Sequence, residues 1–369
     1  MKTHRLGRIR RFHFNLPQRI AAGLLVLFLA QGLWLISHQT PIDCSAGSCG
    51  QQMGAWPLSH ASSFSDCLNI QDGILACRLA GLPATLNLPA LDLLERGTLL
   101  AAGALLGGAL WWVTRRLYGN LGGYTALALY CFSPAVLKAS TTPNAEIVAA
   151  LGVYGGVYTC IGVAHAMQGP RKKWRPRIVL LTAIFAVTAL AHLAALVVVA
   201  LVGLGFMLWV AEGRRRQVLP VVLIAVAGAL VAVFVGCGFS PQDFSFVLRS
   251  GATGMAFSLQ PAALFFGKLA NVGVTLAAAA VVVLYLGVKR SRYFGNTAPL
   301  LCALVLIMQA PRGSQGSPGL WMLPFLLTFV GGVFADAYEE PKGRLAMAAA
   351  GSILLLQAVF CVLSPLGLL

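Results

Sequence analysis

Long apolar stretches separated by short polar breaks run along most of the chain. They occur at about residues 20–36, 94–113, 121–139, 146–167, 178–191, 193–211, 218–236, 263–288, 296–310, 320–336 and 345–364. A helix needs about 20 apolar residues to cross a bilayer, and most of these stretches approach that length. The pattern therefore predicts an all-α fold, a polytopic transmembrane helix bundle of about eleven segments.

Two of these stretches, 178–191 and 193–211, are short for separate crossings. They predict a helical hairpin that enters the bilayer and returns near Ala191 and His192. We interpret His192 as a core histidine at that turn. Two pairs of small residues, Gly103 with Gly107 and Gly152 with Gly156, predict close approach between neighbouring helices.

The composition agrees with this pattern. Of 369 residues, 58% are hydrophobic and only 10% are charged, and the mean hydropathy is +0.79. Soluble globular proteins carry about 25% charged residues. These values exclude a cytosolic enzyme, a nucleic-acid-binding protein and a disordered chain.

The net charge of +16 is distributed unevenly across the predicted membrane. With the eleven segments above, 21 of the 27 basic residues fall on one face, together with four of the 11 acidic residues. The positive-inside rule then places the N-terminus in the cytoplasm and the C-terminus outside. We expect the membrane to be a bacterial inner membrane. The excess of basic residues is therefore explained by membrane topology, and no nucleic-acid partner is expected.

The chain divides into four parts by this reading. They are a basic cytoplasmic segment at 1–19, a first transmembrane helix at 20–36, an external loop at 37–93, and a multi-helix transmembrane bundle at 94–369. We interpret the first helix as a retained anchor. Its apolar run is long for a signal peptide, and Ser37-His38-Gln39 is a poor cleavage site.

Nine cysteines fall into two groups. Five accompany apolar helices, where cysteine acts as a small hydrophobe. The other four, Cys44, Cys49, Cys67 and Cys77, lie in the external loop, where an oxidising compartment favours two disulfides. Three connectivities are open, and we favour Cys44–Cys49 with Cys67–Cys77 because both close short loops. The spacing of these four cysteines is not that of a metal site. In the same loop, a short surface helix is predicted within 64–80.

Candidate site residues lie in the breaks on the external face and, for Lys268, near the outer end of the stretch at 263–288. Lys138 and Glu146 flank a short turn that also contains Asn144 and three hydroxyl side chains. Glu146 also suits the first turn of a helix, where an acid favours the positive dipole end, so a helix cap is the alternative. Three further external cations could hold a phosphate, namely Arg249, Lys268 and Arg312.

Several passages, taken in order, resemble the GT-C membrane glycosyltransferases, the group of protein O-mannosyltransferases and lipid A aminoarabinose transferases. Residues 112–119 (WVTRRLYG) are close to the family's ARRLFG helix end, and residues 122–134 look like its AALLLALSP helix. Residues 141–145 (TTPNA) stand where the family often has a PDA-like helix start. Residues 321–326 (WMLPFL) look like its YLLPLLPFL helix.

The resemblance implies a GT-C-like fold and sugar transfer from a polyprenyl-phosphate donor to an acceptor on the external face. In the family, a first-loop carboxylate acts as general base or positions a divalent metal, and cations hold the donor phosphate. Asp66 is the positional match for that carboxylate, and Glu146 assists. Lys138, Asn144, Arg249, Lys268 and Arg312 would form the substrate site. The sequence departs from the family at both acidic positions, which here are occupied in part by Cys67 and Asn144.

Two alternatives to an active enzyme follow from these departures. The first is a catalytically inactive GT-C-like membrane subunit that serves as scaffold or lipid-binding partner in a larger complex. The second is a transporter of lipid-linked sugars, which is disfavoured because ionisable residues near the predicted bilayer midplane are almost absent. The expected partners are the polyprenyl-phosphate donor, membrane lipids and protein subunits.

Overall fold

The computed structural model describes residues 15–38, 74–75, 91–142, 145–169, 171–253, 255–257, 260–287, 298–307, 309–311, 319–339 and 343–363. Its elements are α1 (Leu16–His38), α2 (Leu91–Cys131), α3 (Pro134–Thr141), α4 (Glu146–Met167), α5 (Arg171–Ala191), α6 (Leu193–Val210), α7 (Arg215–Gly236), α8 (Pro241–Thr253), β1 (Met255–Phe257), α9 (Gln260–Phe266), a 3₁₀ turn (Leu269–Asn271), α10 (Val272–Gly287), α11 (Ala298–Ile307), β2 (Gln309–Pro311), α12 (Leu323–Tyr338) and α13 (Gly343–Leu363). The predicted helical membrane fold is confirmed. Seven of the described helical stretches are long and apolar enough to cross a membrane, and the count of eleven segments stays a prediction.

Helix α2 is a helical hairpin with its bend at Gly119. This residue has φ 85°, a left-handed conformation that glycine adopts without strain. The two arms fold back on each other, and the hydroxyl of Tyr130 donates a hydrogen bond to the carbonyl of Gly103 over 2.6 Å. The two segments predicted at 94–113 and 121–139 are these arms. The second arm, however, is interrupted after Cys131, because Pro134 begins a new helix.

The predicted break between two helices at His192 is also present. The backbone of His192 is extended, which separates α5 from α6, while its N–H still bonds the carbonyl of Thr188. Both helices pack on α4, where Gly152 faces Thr188 and Gly156 faces Val199. Helix α5 has 21 residues and extends the stretch predicted at 178–191, whereas α6 has 18 residues and nearly matches the stretch predicted at 193–211. Both are long and apolar enough to cross a membrane, so the prediction that this pair is short for two crossings is wrong.

The prediction of one continuous helix over 263–288 is wrong. The structure places α9, a turn at Gly267 and Lys268, and a 3₁₀ turn before α10 begins. The side chain of Asn271 bonds the carbonyl of Phe265 over 2.9 Å and closes this break. Apolar composition alone does not reveal such a break, because a side-chain amide replaces the missing backbone hydrogen bond.

Two features between the helices were not predicted. Strands β1 and β2 form a short antiparallel ribbon that pairs Met255 with Pro311 and Phe257 with Gln309. Helix α8 follows α7 and packs against α6. Its start has a sequence signal, since Ser240 accepts a hydrogen bond from the N–H of Asp243 and Pro241 occupies the first turn.

The core is densest where α2, α4 and α12 meet. Helix α12 packs along α2, with the backbones of Gly122 and Gly331 in close approach. Nearby, the hydroxyl of Thr328 lies 2.9 Å from that of Tyr154 and 3.4 Å from that of Thr114. Five cysteines, Cys131, Cys160, Cys237, Cys302 and Cys361, are buried and unbridged, as predicted for small hydrophobes.

The bundle has two ends, which we name by their residues. The basic end carries the bend of α2 beside Arg115 and the starts of α5 and α7, where Arg177 and Arg214 bond the carbonyls of Gly162 and Gly169. The Glu146 end carries the start of α4 and the turn at His192. The predicted sidedness of the membrane, with the basic end in the cytoplasm, stays a prediction.

A pair of tyrosines on α4 offers a test of this packing. Tyr154→Phe removes the 2.9 Å hydrogen bond to Thr328, so we expect the protein to lose about 1 kcal/mol of stability. Tyr158→Phe is the matched control, because its hydroxyl is buried without a hydrogen-bond partner among the described residues. We expect the control to be neutral or slightly more stable. An equal fall in the thermal unfolding midpoints of both variants, measured in detergent, would contradict the assignment.

Candidate active site

Lys138 and Glu146 lie on either side of the turn between α3 and α4. Lys138 is in the last turn of α3 and its side chain is exposed. Glu146 is the first residue of α4 and is half-buried. The structure therefore keeps the cation and the carboxylate at one end of the bundle. Ala145 is the N-cap of α4, and Glu146 lies in the first turn, where an acidic side chain favours the positive end of the helix dipole.

The three hydroxyls predicted at this turn point elsewhere. Ser140 is buried against Gly103 of α2. The hydroxyl of Thr141 bonds the carbonyl of Leu137 over 3.0 Å, and that of Thr142 bonds the carbonyl of Lys138 over 2.7 Å. The two threonines therefore complete the end of α3, and Ser140 packs into the bundle.

His192 adds an aromatic wall to the same end. It is 8% exposed, and its ring meets the edge of Trp321 at a centroid distance of 5.1 Å. Trp321 lies in the turn before α12, and Gly319 in that turn has φ 90° and packs against Phe265. The turn at His192, the start of α12 and helix α9 therefore meet at the Glu146 end.

The other described candidate cations also lie at this end. Helix α7 runs parallel to α5, because Gly228 faces Thr182 and Gly236 faces Leu190, so α8 begins beside His192. Arg249 is an exposed residue of α8. Lys268 is exposed in the break between α9 and the 3₁₀ turn, which packs against α3.

One buried cation was not singled out from the sequence. Arg96 lies near the start of α2 at the Glu146 end and is only 7% exposed. A buried arginine is costly unless it is paired, so its position indicates a defined electrostatic role. The sequence feature that could have identified Arg96 is the charged pair Glu95-Arg96 at the start of an apolar stretch.

Several predicted residues lie outside the part of the chain that the structure describes. They are Asp66, Asn144, Arg312 and the loop cysteines Cys44, Cys49, Cys67 and Cys77. Of the predicted surface helix at 64–80, only Ile74 and Leu75 are described, and both are helical, with Ile74 packed near Gly236. Arg312 directly follows β2 in sequence.

The described residues do not form a metal site. Among them, no group of three or more His, Cys, Asp or Glu side chains comes together. The resemblance singled out two carboxylates, Asp66 and Glu146. Only Glu146 belongs to the part of the chain that the structure describes.

The fold is similar to that of a known membrane enzyme. The apo crystal structure of the oligosaccharyltransferase of Archaeoglobus fulgidus superposes on 92% of the chain, with a TM-score of 0.57 and 11% sequence identity. The chain spans about half of that protein, 55% of its length. Crystal structures of the same protein with zinc and sulfate, and tethered to an acceptor peptide containing the NVT sequon, give TM-scores of 0.48 at 11% identity over 48% and 50% of those chains.

No protein-family model and no curated protein sequence matches the chain. At 11% identity the structural likeness concerns the fold alone. It agrees with the fold that the sequence resemblance implied. The chain is a membrane helical bundle with a GT-C-like fold.

Proposed function

We propose that this protein is a membrane glycosyltransferase that moves a sugar from a polyprenyl-phosphate donor to an acceptor at the Glu146 end. The observation that carries the proposal is the fold, which superposes over 92% of the chain on an oligosaccharyltransferase. The gathering of Lys138, Glu146, Arg249 and Lys268 at one end supports it. This end is the one that the charge pattern assigns to the external face.

The proposed reaction displaces a phosphate from the anomeric carbon of the sugar. The acceptor's nucleophilic atom forms a bond to that carbon, the bond from the carbon to the phosphate oxygen breaks, and the polyprenyl phosphate leaves with the electron pair. Asp66 takes the proton from the acceptor as general base. Lys138, with Arg249, Lys268 or Arg312, neutralises the charge that develops on the phosphate.

Glu146 has a position that suits a second acid in this scheme. It stands at the start of α4, one short turn from the exposed Lys138. Its carboxylate would orient the acceptor or the proton that Asp66 takes from it. The side-chain amide of Asn144 would contact the sugar of the donor. The aromatic pair of His192 and Trp321 would form one wall of the sugar pocket.

The second candidate function is an inactive GT-C-like subunit that acts as scaffold or lipid-binding partner. It is favoured by Cys67 and Asn144, which stand where the family has acidic residues. The two functions differ in one result, namely whether the purified protein converts a lipid-linked sugar.

A transfer assay with purified protein in proteoliposomes tests the proposal. The vesicles hold a mixture of radiolabelled polyprenyl-phosphate sugars, and the release of polyprenyl phosphate is followed with membrane extract as acceptor. We expect turnover by the wild type and a clear loss in Glu146→Gln. Absence of turnover with every donor, from a protein that elutes as a single species, would favour the scaffold.

Lys138 provides a more specific test of donor binding. Lys138→Gln keeps the hydrogen-bonding capacity at the end of α3 but removes the positive charge, so we expect KM for the donor to rise about tenfold. Lys342→Gln is the matched control, since the charge pattern assigns it to the opposite face. Equal KM values for Lys138→Gln and the wild type would exclude Lys138 from the phosphate site.

A further inference from the structure

The basic end contains an open cavity that the proposed reaction does not use. It has a volume of about 440 Å³ and lies at the turn between α6 and α7. Its lining is Glu212, Gly213, Arg214, Arg215, Arg216 and Gln217. Three guanidinium groups against one carboxylate give this cavity a net positive charge.

The arginines of the cavity have different roles. Arg214 is half-buried and donates a hydrogen bond to the carbonyl of Gly169 over 3.2 Å, which fixes the α6–α7 turn against the α4–α5 turn. Gly213 has φ 77° and allows the chain to reverse here. The side chains of Arg215 and Arg216 are exposed. These two are therefore the groups that can engage a ligand.

Neighbouring elements strengthen the positive potential. Helices α5 and α7 run parallel, so both begin at the basic end and both direct the positive end of their dipole to it. The exposed Arg175 in the first turns of α5 adds a further cation. An anion at this place would interact with fixed charges from two helices rather than with a single side chain.

An apolar strip on α7 continues directly from the cavity. Leu219, Leu223 and Ile224 are 51%, 57% and 60% exposed, so this side of α7 faces the hydrocarbon. A ligand that fills both regions has a phosphate at one end and acyl chains at the other. Inorganic phosphate would use the cavity and leave the strip without a role.

From this combination we infer that the cavity at Arg215 and Arg216 is a binding site for an anionic phospholipid. The lipid phosphate lies between the two guanidinium groups, and its acyl chains lie along α7. Basic pockets beside membrane helices are suited to such headgroups, and each arginine near the surface contributes about 1 kcal/mol. The site would fix the α6–α7 turn to one leaflet of the bilayer.

A lipid titration followed by native mass spectrometry tests this inference. The delipidated wild-type protein is titrated with phosphatidylglycerol and with phosphatidylcholine of the same acyl chains. We expect tighter binding of phosphatidylglycerol and a loss of about 10- to 30-fold in the double variant Arg215→Gln, Arg216→Gln. Arg215→Lys, Arg216→Lys should retain most of the affinity because it retains the charge.

The matched control removes the same charge at the same end. Arg115 and Arg116 lie over the rings of Trp111 and Trp112 at 5.1 and 5.3 Å and do not line the cavity. Arg115→Gln, Arg116→Gln should leave the affinity within about twofold of the wild type. Equal losses in both double variants would show a diffuse charge effect and overturn the site. Displacement of the lipid by millimolar inorganic phosphate would show a phosphate site instead and overturn the lipid assignment.

Each double variant is first checked for elution as a single species. If the Gln pair fails this check, the single variants Arg215→Gln and Arg216→Gln are used, with an expected loss of about fivefold each. Single variants that bind phosphatidylglycerol as tightly as the wild type would overturn the proposal.

Discussion

Asp66→Asn is expected to lower sugar transfer by about 100-fold or more. The change keeps the size and shape of the side chain but removes its capacity to accept the acceptor's proton, and general-base catalysis typically contributes this much. The rate is measured under single-turnover conditions with saturating donor, so that the chemical step and not product release is observed. Elution as a single species and an unchanged unfolding midpoint would show that the fold is intact.

A second acid of the same loop serves as control for Asp66. Asp72→Asn makes the same chemical change within 37–93, at a position to which we assign no role, and should retain the wild-type rate. The comparison separates a catalytic role of Asp66 from a structural one, because a structural role affects stability more than rate. An Asp66→Asn variant with the full transfer rate would exclude Asp66 as the base.

Gly331→Leu should have the largest effect on stability. A Cβ at position 331 would lie 3.1 Å from the Cβ of Ala126 and against the carbonyl oxygen of Gly122. Backbone cannot move aside as a side chain can, so α12 would have to separate from α2. We expect a loss of about 3 kcal/mol or more, seen as a lower unfolding midpoint and a smaller yield of monodisperse protein.

Gly351→Leu is the control for this overpacking. Gly351 is an exposed residue inside α13, and a Cβ there has no heavy atom within 4 Å beyond its own helix. Both changes place the same apolar side chain in a helix, and only one meets another backbone. Similar unfolding midpoints for the two variants would mean that α2 and α12 are not packed at Gly122 and Gly331.

Much of the fold could be predicted because hydropathy and small residues carry direct physical information. The helix break at His192 follows from the interruption between two apolar runs, and the close approach at Gly152 follows from the absence of a side chain there. The break at Gly267 could not be predicted in this way. It depends on a tertiary hydrogen bond from Asn271 to Phe265, and apolar residues surround it in the sequence.

The common end of the candidate residues could be predicted, whereas the directions of their side chains could not. Charge patterning predicted that Lys138, Glu146 and Lys268 lie on one face of the membrane. In the structure these three residues lie at one end of the bundle. The hydroxyls of Thr141 and Thr142 looked equally suitable, yet they bond backbone carbonyls of α3. Side-chain direction is decided by local hydrogen bonding, which residue type and spacing do not reveal.

The role of Asp66 could be assigned only from family resemblance. A carboxylate in a long loop has no periodicity that fixes its direction, and nothing in its neighbours distinguishes a base from a solvated acid. Arg96 illustrates the opposite case. Its burial at the entry to α2 is clear in the structure, whereas the sequence shows only a charged residue beside an apolar run.

The most direct test of the central claim is to identify the lipids that purify with the protein. The protein is isolated from native membranes in mild detergent, and its bound lipids and proteins are analysed by mass spectrometry. A glycosyltransferase of this kind should retain a polyprenyl phosphate or its sugar conjugate, with less retained in Lys138→Gln. Protein partners in stoichiometric amount, with no polyprenyl lipid, would contradict the transferase and indicate a scaffold.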